Sequence, residues 1–187
     1  MDLRQPVPED VAARVEVPRD PEAQRMYGQS VPSGTTVFTP EEARESLASY
    51  ARQDLTTTRS FVIAARVLPD GTPAVEEAGR YIGGIRLHSL SGADRRATLA
   101  IGIFDRRYWS KGYGTEAIRL LLSHAFGTMR LHRVALRVLE YNARAIRAYE
   151  KCGFTREGVE RESAYVDGGW HSDVIMGILE REFRSLE

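Results

Sequence analysis

Apolar residues recur along the chain with two different periods, and the change from one to the other divides it. Over the first sixty residues the spacing is helical and interrupted by proline. Thr39-Pro40-Glu41-Glu42 places an N-cap threonine, a proline at the first helical position and acids in the first turn, which predicts a helix to about Arg52. Upstream, residues 8–27 hold a weaker pattern broken by Pro18 and Pro21, which predicts a short helix, a break and a second short helix. From Ser60 the period falls to that of strands. Residues 61–67 read as a strand ended by the turn Pro69-Asp70-Gly71-Thr72, residues 81–87 as a second and residues 97–104 as a third. With the polar stretch 89–96 as a hairpin loop, these three form an antiparallel meander.

After Phe104 the pattern becomes strand, glycine turn, helix, strand, helix, strand. Ala117, Ile118, Leu121, Leu122, Ala125 and Phe126 make one apolar stripe, the face of a helix that covers a sheet. Val134, Leu136 and Val138 alternate in a strand, Asn142 caps a short helix ending at Cys152-Gly153, and strand character returns at Phe154. Asp173 to Leu179 is a last strand, joined to its predecessor by the hairpin turn Asp167-Gly168-Gly169. No repeat or linker divides the chain, so residues 1–187 are read as one α/β domain.

Composition narrows the partners. The chain balances 26 basic against 26 acidic residues, so no global field draws nucleic acid or an anionic membrane, and anion recognition must be local. Cys152 is the single cysteine and suits a reducing compartment. The start lacks a signal-peptide pattern and no apolar run approaches a membrane span, giving the expectation of a cytoplasmic protein. Of the basic residues only Lys111 and Lys151 are lysines, and both lie in the segments that carry chemistry.

The first of these is YWSKGYGTEA, from Tyr108 to Ala117. Its glycines break the chain directly before an amphipathic helix, which leaves a row of backbone N–H groups at a helix N-terminus with Lys111 in the turn. Such a row binds oxyanions. The second is NARAIRAYEKCGF, from Asn142 to Phe154, where Asn142 and Tyr149 stand almost two helical turns apart on one face.

Together the two blocks resemble the GNAT superfamily of acyl-CoA-dependent N-acyltransferases, and most closely its branch of ribosomal-protein N-terminal-amine and spermidine acetyltransferases. The resemblance is good over about residues 58–183 and weak in the N-terminal third. Trp109 stands where the superfamily usually has Gln or Arg, a departure frequent in that branch. The family's fold is implied: a mixed, mostly antiparallel sheet with helices on both faces and a splayed, near-parallel strand pair forming the acyl-CoA cleft. By the same resemblance, the amides of Lys111, Gly112, Tyr113, Gly114 and Thr115 would hold the pyrophosphate of coenzyme A. Ile103 and Phe104 would end the strand whose free edge pairs with the pantetheine arm, and Asn142 would contact that arm.

The implied reaction is direct attack of an amine on the thioester of acetyl-CoA. Tyr149 is the expected general acid, because a phenol is protonated at pH 7 and can supply the leaving sulfur. Glu140, at a strand end beside Asn142, is better placed than Glu116 to face the cleft as a base, although the sequence singles out no one acid. Glu116 is explained by the helix dipole alone, whereas Glu76, Glu77, Asp105 and Asp167 are candidates for recognising a cationic acceptor, and Arg106, Arg107, Arg144 and Arg147 for the cofactor's ribose phosphate. His88, His124, His132 and His171 lack metal-type spacing, so no metal is expected, and Cys152 reads as a core residue. The expected acceptor is a peptide or protein N-terminal α-amine. A small amine such as a polyamine, aminoglycoside or toxin is the alternative, as is a non-catalytic acyl-CoA sensor, and the exposed hairpin could support a homodimer.

Overall fold

The structure is a computed structural model that describes residues 1–17, 19–30, 37–75 and 78–186. In chain order its elements are β1 (Asp2–Arg4), α1 (Asp10–Glu16), α2 (Pro21–Met26), α3 (Pro40–Ala51), β2 (Arg59–Ala65), β3 (Arg80–Ser91), β4 (Arg96–Ile103), α4 (Tyr113–Ser123), β5 (Arg133–Leu139), α5 (Ala143–Lys151), β6 (Thr155–Val166), β7 (Gly169–Leu179) and α6 (Glu180–Arg184). The seven strands form one sheet in the order β1-β2-β3-β4-β5-β7-β6. All neighbours are antiparallel except β4 and β5. That pair is parallel and joined only at Arg96–Arg133, Ala97–Val134 and Thr98–Ala135. Beyond Thr98 the two strands separate, and the sheet opens between them.

Local chemistry sets the helices. At α3 the capping box is complete, with Thr39 Oγ1 accepting from the Glu42 N–H at 3.2 Å and Glu42 Oε2 accepting from the Thr39 N–H at 2.8 Å. The α4 stripe runs on through a π-helical turn at His124–Thr128, which keeps Ala125 and Phe126 buried. The β6–β7 turn takes positive φ at Asp167 (50°) and Gly168 (86°), the two-residue geometry that matches strand twist.

Two cores lie on opposite faces. Ile85, Leu87, Leu99, Val134, Leu136 and Val138 bury against Ala117, Ile118 and Leu121 of α4. On the other face Ala13 of α1 and Leu47 of α3 pack on Val62 and Tyr81, with Tyr50 and Phe104 against them. β1 was not predicted. Its place is fixed by Arg4, which meets Asp10 through two N–H···O bonds of 2.7 Å and also donates to the carbonyls of Ala78 and Gly79. Among the described residues, no helix is long and apolar enough to cross a membrane.

Candidate active site

The opening between β4 and β5 is the centre of a cleft of about 700 Å³ whose wall includes Ser110, Gly112, Gly114, Thr115, Asn142 and Tyr149. One end is the start of α4. Gly112 is its N-cap at φ 90°, where a side chain would be strained. The first helical bond runs from the Glu116 N–H to the Gly112 carbonyl at 3.0 Å, so the amides of Tyr113, Gly114 and Thr115 have no intrahelical acceptor. Gly114 is the more telling glycine. Its φ is not positive, and a Cβ there meets no atom within 4 Å. Neither conformation nor internal packing calls for glycine, which leaves close approach from the cleft as the physical reason for it.

Lys111 and Tyr113 turn their side chains away from those amides. The Lys111 ammonium donates to the Pro69 carbonyl at 2.8 Å and the Tyr113 hydroxyl to the Val67 carbonyl at 2.9 Å. They tie the turn to the segment after β2. Trp109, flanking the turn, donates its indole N–H to the Ile103 carbonyl at 2.7 Å, while the guanidinium of Arg144 lies 3.6 Å from its ring centroid.

The edge of β4 follows from the ladder. The Phe104 N–H bonds to the Ile82 carbonyl at 2.9 Å, so by strand alternation Ile101 and Ile103 aim their backbone groups at the opening. The expectation that Phe104 offers a free edge is therefore corrected. Its backbone is committed to β3, and its ring lies in a neighbouring cavity against Tyr27 and Tyr81 at 5.9 and 6.4 Å.

Tyr149 is 7% exposed, with its ring edge-on to Phe154 at 5.9 Å. Burial pushes its phenol well above the usual value. Asn142, also buried, accepts from the Ala145 N–H at 3.1 Å and donates to the Met26 carbonyl at 3.4 Å. It thus caps α5 and docks the end of α2, where Tyr27 follows. Cys152 packs under Thr115 with its thiol pushed up to about 11 by burial, which suits a core residue and not a nucleophile.

Glu140 does not join Tyr149. Its side chain is exposed, accepts from the Ser172 N–H at 3.0 Å, and is absent from the cleft wall. The backbone N–H of the adjacent strand captures the carboxylate that a base role required. Asp105 is likewise taken by Arg107, and Asp167 stands 3.6 Å from Arg25; Glu76 and Glu77 lie outside the described residues. Of the four arginines, Arg106 is paired with Asp20 and Glu22 and Arg107 with Asp105, whereas Arg144 and Arg147 line the cleft. No cluster of three metal-ligating side chains stands together among the described residues.

The residues that sequence reasoning missed lie on the α1–α3 face. A second cavity, of about 430 Å³, adjoins the cleft and shares Tyr27, Arg86 and Gly102 with it. Gly84 of β3 and Gly102 of β4 are directly paired, and a Cβ on the first would collide with the Tyr50 hydroxyl, on the second with that of Tyr27. Two phenols therefore rest side by side on two glycines. The signal that was available is the doublet Gly83-Gly84 together with Gly102, glycines inside strands that mark close approach.

The model of the acetyltransferase (GNAT) domain matches residues 1–155, including the N-terminal third. A putative ribosomal N-acetyltransferase of Bacillus subtilis is 34% identical over 105 residues, 56% of this chain and 57% of that protein. The spermidine N(1)-acetyltransferase of Escherichia coli K12 is 29% identical over 109 residues, 58% of each chain. The chain thus spans about half the length of the curated relatives it matches. The solved spermidine N-acetyltransferase of Vibrio cholerae, in complex with CoA and spermine, shares the fold at a TM-score of 0.74 and 21% identity, over 98% of this chain and 97% of that one.

Proposed function

The chain belongs to the GNAT acetyltransferase family, and on that premise we propose that it transfers an acetyl group from acetyl-CoA to a primary amine by direct attack in a ternary complex. One observation carries the reading. The parted strands β4 and β5, the open amides of α4 and the Tyr149 side chain all belong to one cleft.

Acetyl-CoA would supply the activated thioester. The α4 amides from Gly112 to Thr115 would hold its pyrophosphate as a helix N-terminus holds any oxyanion, with Arg144 and Arg147 adding charge. Ile101 and the N–H of Ile103, whose carbonyl is held by Trp109, would pair with the pantetheine arm as an added strand, and Asn142 would face it. Tyr149, kept protonated by its burial, would deliver a proton to the departing sulfur. A neutral base is needed for the amine proton. His88 lines the same cleft, and burial together with Arg86 and Arg137 holds its imidazole below the usual histidine range, so it is neutral at pH 7.

For the acceptor, an N-terminal α-amine is the first reading, since one relative is named as a putative ribosomal N-acetyltransferase, and a small amine is the second, since others are named as spermidine acetyltransferases. The test is thiol release when the protein meets acetyl-CoA and a panel of N-terminal peptides, amino acids and polyamines. Release that depends on the amine supports transfer. Binding of acetyl-CoA without release from any amine would instead identify an acyl-CoA sensor.

A further inference from the structure

The cavity beside the cleft has an unusual charge problem. Arg14 of α1 lines it and is 7% exposed. Its guanidinium lies 3.8 Å from the Phe38 ring centroid and 4.7 Å from that of Phe104, but it has no ion pair or hydrogen bond among the described residues, and its Nε is sealed without a partner. The rings offset part of the cost of burying the cation. They accept none of its five N–H groups in the plane of the fork, and a buried cation is ordinarily paired. Burial accordingly lowers the Arg14 pKa. Arg86, exposed on β3 and shared by both cavities, likewise has no carboxylate partner among the described residues.

Among the described residues, the walls of the two cavities hold no carboxylate that is still free. Asp20 is the carboxylate of the cavity wall, and its oxygens already accept from the Ala23 N–H at 2.9 Å and from Arg106 at 3.2 Å. In the cleft, Asp173 accepts from Ser163 Oγ at 3.0 Å and stands 3.6 Å from Arg137. A polycation entering here would find its partners taken and two unpaired guanidinium groups facing it.

Resting on the transfer reading, we propose that the acceptor amine belongs to a molecule that also carries a carboxylate, and that Arg14 and Arg86 bind this carboxylate while the amine faces the opening between β4 and β5. Planar guanidinium groups match carboxylates in two-pronged geometry. Because the two cavities meet at Tyr27, Arg86 and Gly102, one small molecule or chain terminus can reach both. Two sources share this chemistry: the α-carboxylate of a free amino acid and the side chain of an acidic N-terminal residue.

Matched acceptors test it on the unaltered protein. Glutamate is compared with glutamine and with glutamic acid α-amide, peptide amides beginning with Glu with those beginning with Gln, and spermidine is run beside them, all by thiol release from acetyl-CoA. The expected result is kcat/KM at least about tenfold higher for one carboxylate member of a pair, which also identifies the source, with spermidine poorest. In Arg86→Gln, and in Arg14→Met where it folds, that ratio falls toward one through KM and not kcat. Equal efficiencies within every pair, or a preference for spermidine, overturn the inference and leave the transfer reading standing. An absence of thiol release from every amine overturns the transfer reading, and failure of glutamate to protect Arg14 or Arg86 from phenylglyoxal in that case overturns the inference separately.

Discussion

The indole N–H of Trp109 donates to the carbonyl of Ile103 at 2.7 Å, so the last residue of β4 and the turn before α4 are fixed to each other. Strand edge and helix amides, the two parts proposed to grip the cofactor, therefore keep one relative position. Replacing Trp109 by Phe removes the bond and keeps a ring beneath Arg144. A neutral hydrogen bond is worth about 1 kcal/mol net, so acetyl-CoA affinity should fall about fivefold, measured by calorimetry, with the melting temperature nearly unchanged.

Tyr149→Phe keeps the ring against Phe154 and removes the proton. Loss of a general acid costs about 10²- to 10⁴-fold in rate, and kcat should fall in that range while acetyl-CoA binding holds. A kcat within a factor of three of the parent would remove Tyr149 from the reaction.

Gly114→Ala separates fold from function. With no atom within 4 Å of the new methyl, the helix should gain up to about 1 kcal/mol from the better helix former, read as a higher melting temperature. The same methyl stands where the cofactor would approach, and affinity for acetyl-CoA should drop. A stable variant that binds as tightly as the parent would show that the glycine has no such use.

Alkaline stability follows from the phenols. Burial raises the pKa of Tyr81 and Tyr149 above the ordinary value near 10. Between that value and the folded one, the unfolded chain sheds these protons while the native state keeps them, so stability is intact below pH 10 and declines above it. At pH 11 each group should cost about 1.4 kcal/mol, seen in denaturant midpoints. Phenolate absorbance should rise together with unfolding.

The Arg4–Asp10 pair is a stability test away from the cleft. Asp10 is 2% exposed, and Arg4→Met would leave its carboxylate buried without its partner, a change that typically costs about 3–5 kcal/mol. Denaturant unfolding should show a loss of that order.

The antiparallel meander β2-β3-β4, the β6–β7 hairpin and the α4 turn were legible because they rest on local patterns: period, caps and glycine placement. Glu140 was misread for a reason no local pattern holds, since the N–H that captures it comes from Ser172, 32 residues on in the chain, on the neighbouring strand β7. Arg14 was missed although it shares one buried stripe of α1 with Asp10 and Ala13, because a charged residue on a short helix reads as solvent-facing until Phe38 and Phe104 are known to cover it. β1 is three residues long, too short to show a period. Its strand is dictated by pairing with β2 and by the reach of Arg4 to Asp10, Ala78 and Gly79.

The pairing of Gly84 with Gly102 has a further consequence. Each holds a different tyrosine, yet the two sit on neighbouring strands and the same face, and Gly102 belongs to both cavities. A mutation that gives Gly102 a side chain must displace Tyr27 and so reshapes both cavities, the proposed acceptor side and the mouth of the proposed thioester side, in one step. Drift in acceptor preference at this position is thereby tied to cofactor access, and a lineage that changes its amine has more freedom on the helices above the sheet than on the strands beneath them.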